Sequence, residues 1–339
     1  MSDHILSLVS ACVGATKAAK LLSLIETPAS LPAGAAGQPS RAEIAHALNV
    51  VLFDGILTRV PTGREYTEDV AAAGGKVNFD HGALRTVAWQ ANGQLPPGEA
   101  AFTRFLRPLG YRLNGTYPLD RIGMTGRSYA HEDAPDGIAQ FFVSEFHPER
   151  FSAELQAAVT RVVSTSVDPL RPDTVALLWK LDRDRTLPQD EAIHVICNLT
   201  ACFERHHDTP RLEDYQRILQ ESAEMAWIAT EGNAFNHATD RVEDVFALSD
   251  QQRALGRPIK EKVEVSGSGR VKQTAFRADP VMREFVGAAG EIVMREVPGS
   301  FYEFITRDRY ADGGSQNKLD LGFDASNAQG IFKMTAATV

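Results

Sequence analysis

The chain has 339 residues, 35 Lys and Arg against 44 Asp and Glu for a formal charge of −9, and is 43% hydrophobic and 23% charged. This is the composition of a globular chain of about two packing units, and no run approaches the ~18 consecutive apolar residues of a membrane span, which excludes insertion into a bilayer. The acidic balance, without a clustered basic face, argues against a nucleic-acid partner and leaves room for a small anion held by one or two arginines.

Residues 1–60 read as N-terminal helices: apolar residues recur at helical spacing over 4–25 and again over 41–59, where Ser40 can act as the cap. Lys17 and Lys20 follow a short apolar stretch instead of preceding it, the reverse of a secretory signal. Cys12, Cys197 and Cys202 match no common zinc spacing and cannot all pair, so a reducing cytoplasm is the expected location. The sequons at Asn114 and Asn198 then carry no meaning.

Within 61–148, short β-branched and aromatic runs (VNFDHGALRTVAW, YRLNGTYPL, IGMTGRSYA, IAQFFVSEF) surround one helical stretch, GEAAFTRFLRPLG, in the order β-α-β-β-β. The helical period returns over 149–231 in four stretches, which we read as an insertion. Strand character resumes over 232–310 at NAFNHATDRV, then a helix, then IKEKVEVSG, RVKQTAFRA and SFYEFITRD, again β-α-β-β-β. Residues 311–339 form a tail. The expected fold is therefore α+β: two β-α-β-β-β modules enclosing one site, with N-terminal helices and a helical insertion.

The modules repeat at residue level. Phe79-Asp80-His81-Gly82-Ala83-Leu84-Arg85 matches Phe235-Asn236-His237-Ala238-Thr239-Asp240-Arg241, and His81 precedes Glu145 by 64 residues (145 − 81) as His237 precedes Glu303 by 66 (303 − 237). With a strand period of two, His81, Ala83 and Arg85 share one face, as do His237, Thr239 and Arg241. Two modules curved around a common cavity could bring His81, His237 and a last-strand carboxylate together. Two imidazoles and one carboxylate leave open positions on a non-haem Fe(II), where an oxo-acid and O2 can bind, but the same set serves hydrolytic zinc.

Glu303 is the carboxylate of choice, a single acid among Phe301, Tyr302 and Phe304, where burial without a partner would cost several kcal/mol. Glu145 sits in a similar run and on spacing alone would be a fourth ligand. Arg85, roughly 13 Å along the strand from His81, could hold the far carboxylate of a dicarboxylate through its two-donor fork, or could instead neutralise Asp80. The glycine-rich Ser266–Arg270 stretch lacks a phosphate-loop ending and reads as a hairpin turn, with Arg270 or Gln273 as minor candidates for ligand contact. His206 and His207 read as a solvated helix end, and His131, His147 and His194 have no partner at metal spacing. No serine nucleophile motif is present.

The segments around His81, His237 and Glu303 together resemble the bacterial 2-oxoadipate dioxygenase/decarboxylase family, similar in fold to the vicinal oxygen chelate superfamily, from the first helices to about residue 310. The resemblance implies that His81, His237 and Glu303 hold Fe(II), that Arg85 binds substrate and stabilises charge, and that Glu145 is a relic of the repeat or lies behind the ligands. It further implies conversion of 2-oxoadipate and O2 to 2-hydroxyglutarate and CO2, a step of lysine catabolism, by an oxidoreductase. The chain is expected to be shorter at its C-terminal end than better-known members, so family contacts from that region are not placed on this sequence. The alternatives left by the residues themselves are a metal-dependent isomerase or lyase of the same superfamily, using Zn, Mn or Ni, and a non-catalytic binder of a small acid.

Overall fold

The computed structural model describes residues 3–312 and 315–324. Its first layer is helical: α1 (Asp3–Val13), α2 (Ala15–Leu24), α3 (Arg41–Arg59) and α4 (Pro61–Ala72). The expected first helix is two, because Gly14 between them has φ 85°, a left-handed conformation that breaks the helix and costs glycine little. Ser40 caps α3 as expected, in a capping box with Glu43. Pro61 opens α4, where the missing N–H has no helical acceptor. The strands begin only after α4.

The first β-α-β-β-β unit comprises β1 (Phe79–Val87), α5 (Ala100–Leu106), β2 (Tyr111–Leu119), β3 (Met124–His131) and β4 (Gln140–Phe146). Five helices follow: α6 (Ala153–Val163), α7 (Pro172–Asp184), α8 (Gln189–Ala201), α9 (Leu212–Leu219) and α10 (Ala223–Glu231). The last of the four expected helical stretches is split, since Ser222 caps a new helix through Met225 N. The second unit has β5 (Phe235–Arg241), α11 (Val245–Ala254), β6 (Glu264–Val265), β7 (Val271–Ala275) and, after a hairpin of β8 (Pro280–Val286) and β9 (Ile292–Pro298), the strand β10 (Phe301–Arg307). That hairpin, missed in the sequence, is half exposed and carries charged residues among its apolar ones. A small hairpin of β11 (Arg309–Asp312) and β12 (Ser315–Leu319) is the last element among the described residues.

Eight strands form one curled sheet in the order β2-β3-β4-β1-β5-β10-β7-β6. Its centre is the antiparallel pair β1–β5, in which His81 faces Thr239, Gly82 faces Ala238 and Ala83 faces His237. Shifting either strand by the repeat maps this pairing on to itself, so the two halves are related by a two-fold axis at Gly82 and Ala238. Gly82 is required there: a Cβ would lie 2.4 Å from the Phe235 ring. The pairing also has two symmetric bulges. Phe79 pairs with Asp240 and His81 with Thr239, leaving Asp80 as an extra residue; Ala83 pairs with His237 and Leu84 with Phe235, leaving Asn236 as its counterpart.

One face of the sheet is covered by α3 and its neighbours. Phe53 of α3 lies 5.1 Å from Phe79, and Phe141, Phe235, Tyr302 and Phe304 belong to the same buried cluster. Each such ring contributes roughly 1.5–3 kcal/mol by burial. A second cluster joins α6, α9 and α10 to Val87, Phe146, Phe285 and Val297, so the insertion packs on the sheet as part of the same body. The opposite, concave face carries the polar residues.

Candidate metal centre

His81 on β1, His237 on β5 and Glu303 on β10 meet on that concave face, all buried, with one donor atom of each within 4.8 Å of the others. Among the described residues no other group of three His, Cys, Asp or Glu side chains is so arranged. The bulges explain the orientation. Because each supplies an extra residue, Asp80 sits beside its own neighbour, with Oδ1 2.8 Å from His81 Nδ1, and Asn236 Oδ1 is 3.3 Å from His237 Nδ1. Both Nδ1 atoms are thereby occupied and both Nε2 atoms turn to Glu303, His237 at 2.9 Å and His81 at 3.7 Å from Oε2. Thr239 donates to the same oxygen at 3.1 Å. Glu303 Oε1 is buried without a hydrogen-bond partner. A buried carboxylate with one oxygen toward two imidazoles and the other left without a partner, beside histidines whose far nitrogens are held by an acid and an amide, fits a divalent transition metal.

The electrostatics agree. Burial pushes the Glu303 carboxyl up, but the adjacent imidazoles outweigh it and hold it at about 2. Burial also pushes the His81 imidazole down, and its bonds to Asp80 and Glu303 more than reverse this, leaving it raised. His237, with only a neutral amide behind it, stays below the usual imidazole range because of burial. Asp80 does not pair with Arg85, as one sequence reading allowed. It is clamped by Arg307, whose Nε and Nη2 lie 2.9–3.1 Å from its carboxylate. Arg307 is four residues beyond Glu303 and escaped notice because nothing in its own segment marks it.

Arg85 lines the same cavity as the three donors, together with Phe142, Ser144, Asn236, Gln273, Phe323 and Asp324. Burial lowers its guanidinium to about 10, opposed by the charge of Glu224. Arg241, its counterpart in the repeat, is not among the cavity residues and instead donates to Asn78 and the Asp136 carbonyl. Of the two minor candidates, Gln273 reaches the cavity, whereas Arg270 pairs with Asp320 at 2.7 Å.

Glu145 is not a fourth donor. The ladders pair Ala83 with Phe142 as they pair Thr239 with Glu303, so Phe142 is the true counterpart of Glu303. Glu145 lies three residues further on; an odd step reverses the face, and its carboxylate is bound by Arg127. His207 is a second correction: it is buried and bonded to the Asp208 and Ile228 carbonyls, not solvated. The stretch 266–270 is the β6–β7 turn, closed by Ser266 N to Val271 O at 2.8 Å. His131, His147 and His194 are engaged elsewhere, with Leu109 O, Thr125 and Thr174.

The segment 320–324 crosses the cavity mouth. Phe323 lies 4.8 Å from both His81 and Phe142, and Arg307 Cζ sits 4.7 Å from its ring. Arg307 Nη1 also binds the carbonyls of Asp320 and Gly322, and Asn114 of β2 binds that of Leu321. With Phe323 in place the cavity is about 30 Å³, room for one or two waters.

No single helix among the described residues is long and apolar enough to cross a membrane. No curated protein sequence matches the chain. A crystal structure of a glyoxalase superfamily protein from Ralstonia eutropha JMP134 is 68% identical, with TM-score 0.93, over 96% of this chain and 99% of that one. The hydroxyglutarate synthase of Oryza sativa, solved in complex with 2-oxoadipate, shares the fold at 20% identity and TM-score 0.68, over 92% of this chain and 97% of that one. That of Pseudomonas putida, also solved with 2-oxoadipate, does so at 17% identity and TM-score 0.55, over 87% and 68%. The sequence profile of the 2-oxoadipate dioxygenase/decarboxylase family matches residues 57–314. With three quarters of its length matched, the chain belongs to the 2-oxoadipate dioxygenase/decarboxylase family.

Proposed function

We propose that the protein is an Fe(II)-dependent dioxygenase/decarboxylase that converts 2-oxoadipate and O2 to 2-hydroxyglutarate and CO2, with His81, His237 and Glu303 holding the iron and Arg85 binding substrate. The observation that carries this reading is a buried His-His-Glu set whose fourth, repeat-related position is a phenyl ring, Phe142, in one cavity with a buried arginine. A bound Fe(II) with open positions supplies a place where the 2-oxo-carboxylate and O2 can meet.

The chain's own contribution is placement. The guanidinium of Arg85 offers paired N–H donors to the far carboxylate, which keeps the carbon chain stretched between that anchor and the metal-facing histidines. Thr239 and Asp80 fix Glu303 and His81. Phe142, Phe301 and Phe323 surround the site with apolar surface that excludes water, Phe301 lying 4.6 Å from the His237 ring. Phe323 and Asp324 line the cavity with the donors, so a six-carbon diacid bound there lies against the Phe323 ring. The three cysteines are free thiols, which suits a reducing cytoplasm.

The test is direct. Protein purified without oxygen and supplied with Fe(II) is expected to consume O2 and form 2-hydroxyglutarate when given 2-oxoadipate; no uptake above background with any 2-oxo dicarboxylate overturns the proposal.

A further inference from the structure

Arg85 is buried, yet an arginine side chain has four flexible torsions, and a guanidinium selects a carboxylate only if its plane and edge are fixed. The helical insertion supplies that restraint. Trp227 of α10 places its ring 5.0 Å from Arg85 Cζ. The indole is itself held: it is buried, and its Nε1 donates to Gly299 O at 3.0 Å, two residues before the strand that bears Glu303. Three residues earlier on the same helix, Glu224 is the acid whose charge bears on Arg85, and it accepts a bond from the cap residue Ser222 at 3.1 Å. One short helix thus presents a π face and a carboxylate to the guanidinium, and one hydrogen bond ties the ring to the lead-in of β10.

We propose that Trp227 is the positioning residue for Arg85: its ring fixes the guanidinium so that the N–H edge addresses the far carboxylate of a 2-oxo dicarboxylate, which makes the insertion the source of selectivity for diacids. This rests on the proposed function for the identity of the substrate. A cation over an aromatic face in a dry site contributes enough to change affinity by about tenfold.

The experiment compares 2-oxoadipate with 2-oxohexanoate, which has the same length and no far carboxylate, and measures adipate binding to the metal-free protein by calorimetry. In Trp227→Met the KM for 2-oxoadipate is expected to rise about tenfold with kcat within about twofold, while the KM for 2-oxohexanoate stays put; Trp227→Phe, which keeps a π face, restores the diacid KM to within about threefold. Equal losses on both substrates, or no change on either, overturn the proposal. Should the Met variant not fold, fluorinated tryptophans, which keep the shape and deplete the π face, take its place: adipate affinity is expected to fall with fluorine content, and a flat series overturns the idea. If the wild-type protein consumes no O2, the oxygenase reading fails by itself. Adipate binding to the metal-free protein still decides the role of Trp227, an unchanged affinity in Trp227→Met counting against it.

Discussion

The two halves of the central sheet share a ladder, a bulge and a histidine in register, and they differ at the positions that matter for chemistry. The β5–β10 half contributes a carboxylate, Glu303, where the β1–β4 half has Phe142. Behind the histidines stand Asp80 in one half and an amide, Asn236, in the other. The arginines diverge as well, Arg85 lining the cavity and Arg241 bonding to the loop that leads into β4. A symmetric scaffold has been filled asymmetrically, with two of the three donors in the β5–β10 half and Arg85 and Phe142 facing the cavity from the other. Such a division leaves one side of the donor cluster for substrate.

The largest expected effect comes from removing the carboxylate that only one half has. Glu303→Ala should lower metal affinity by more than about a hundredfold, read as metal per chain by elemental analysis after dialysis. Full occupancy in that variant would end the assignment. Next, the arginines should separate: Arg85→Leu is expected to lower kcat/KM for 2-oxoadipate by about a hundredfold, because a charge-assisted paired contact is lost, and Arg241→Leu by less than about threefold. Equal losses would mean that the halves are functionally alike after all.

Smaller again is the effect of the groups behind the histidines. Asp80→Asn should weaken metal binding about 10–100-fold, whereas Asn236→Asp should leave it at or above the wild-type level. Asp80→Asn should also destabilise the fold by about 3–5 kcal/mol, since Arg307 keeps its charge in a buried place. The pH dependence follows from the raised His81. In the metal-free protein its folded pKa exceeds the unfolded one, so its stabilising contribution is whole below the ordinary imidazole value and is lost as pH rises through the folded value. Metal requires the neutral ring, so the metal-induced rise in Tm should grow with pH until the folded His81 value is passed and then level off, and in Asp80→Asn should level off at lower pH. Thermal melts with and without a divalent ion between pH 5.5 and 9 check this, and a rise that is flat with pH contradicts it. The smallest effect belongs to Glu145→Gln, with metal content within about twofold of wild type, since its carboxylate faces Arg127 on the other side of the strand.

What could be read from the sequence was what repeats. His81, His237, Arg85 and the α+β order of elements were visible because the same short pattern occurs twice, and Glu303 stood out as an acid among aromatics. Features that break a rule were hidden. Asp80 was offered as a partner for Arg85, because nothing local foretells the bulge that sets it beside His81 or the approach of Arg307. Glu145 was aligned with Glu303 because spacing was counted without the ladders, and a slip of three residues turned an arginine-paired acid into an apparent ligand. Arg307 and Phe323 approach the site from distant parts of the chain through contacts that no local pattern encodes. Gly14 and Ser222 split helices whose apolar period continues across the break.

The β1–β5 pairing has a consequence for how the protein is made. His81 and Thr239, neighbours across the ladder, are 158 positions apart in the chain, with six α-helices between them. Closing a loop of that length costs on the order of 4–5 kcal/mol of chain entropy, so local helices and hairpins form before it. Neither half alone holds a complete donor set: one brings His81, the other His237 and Glu303. An ion held by all three would therefore recognise the finished chain only, and would act on the folding equilibrium by slowing the escape from the native state, with little influence on the speed of reaching it.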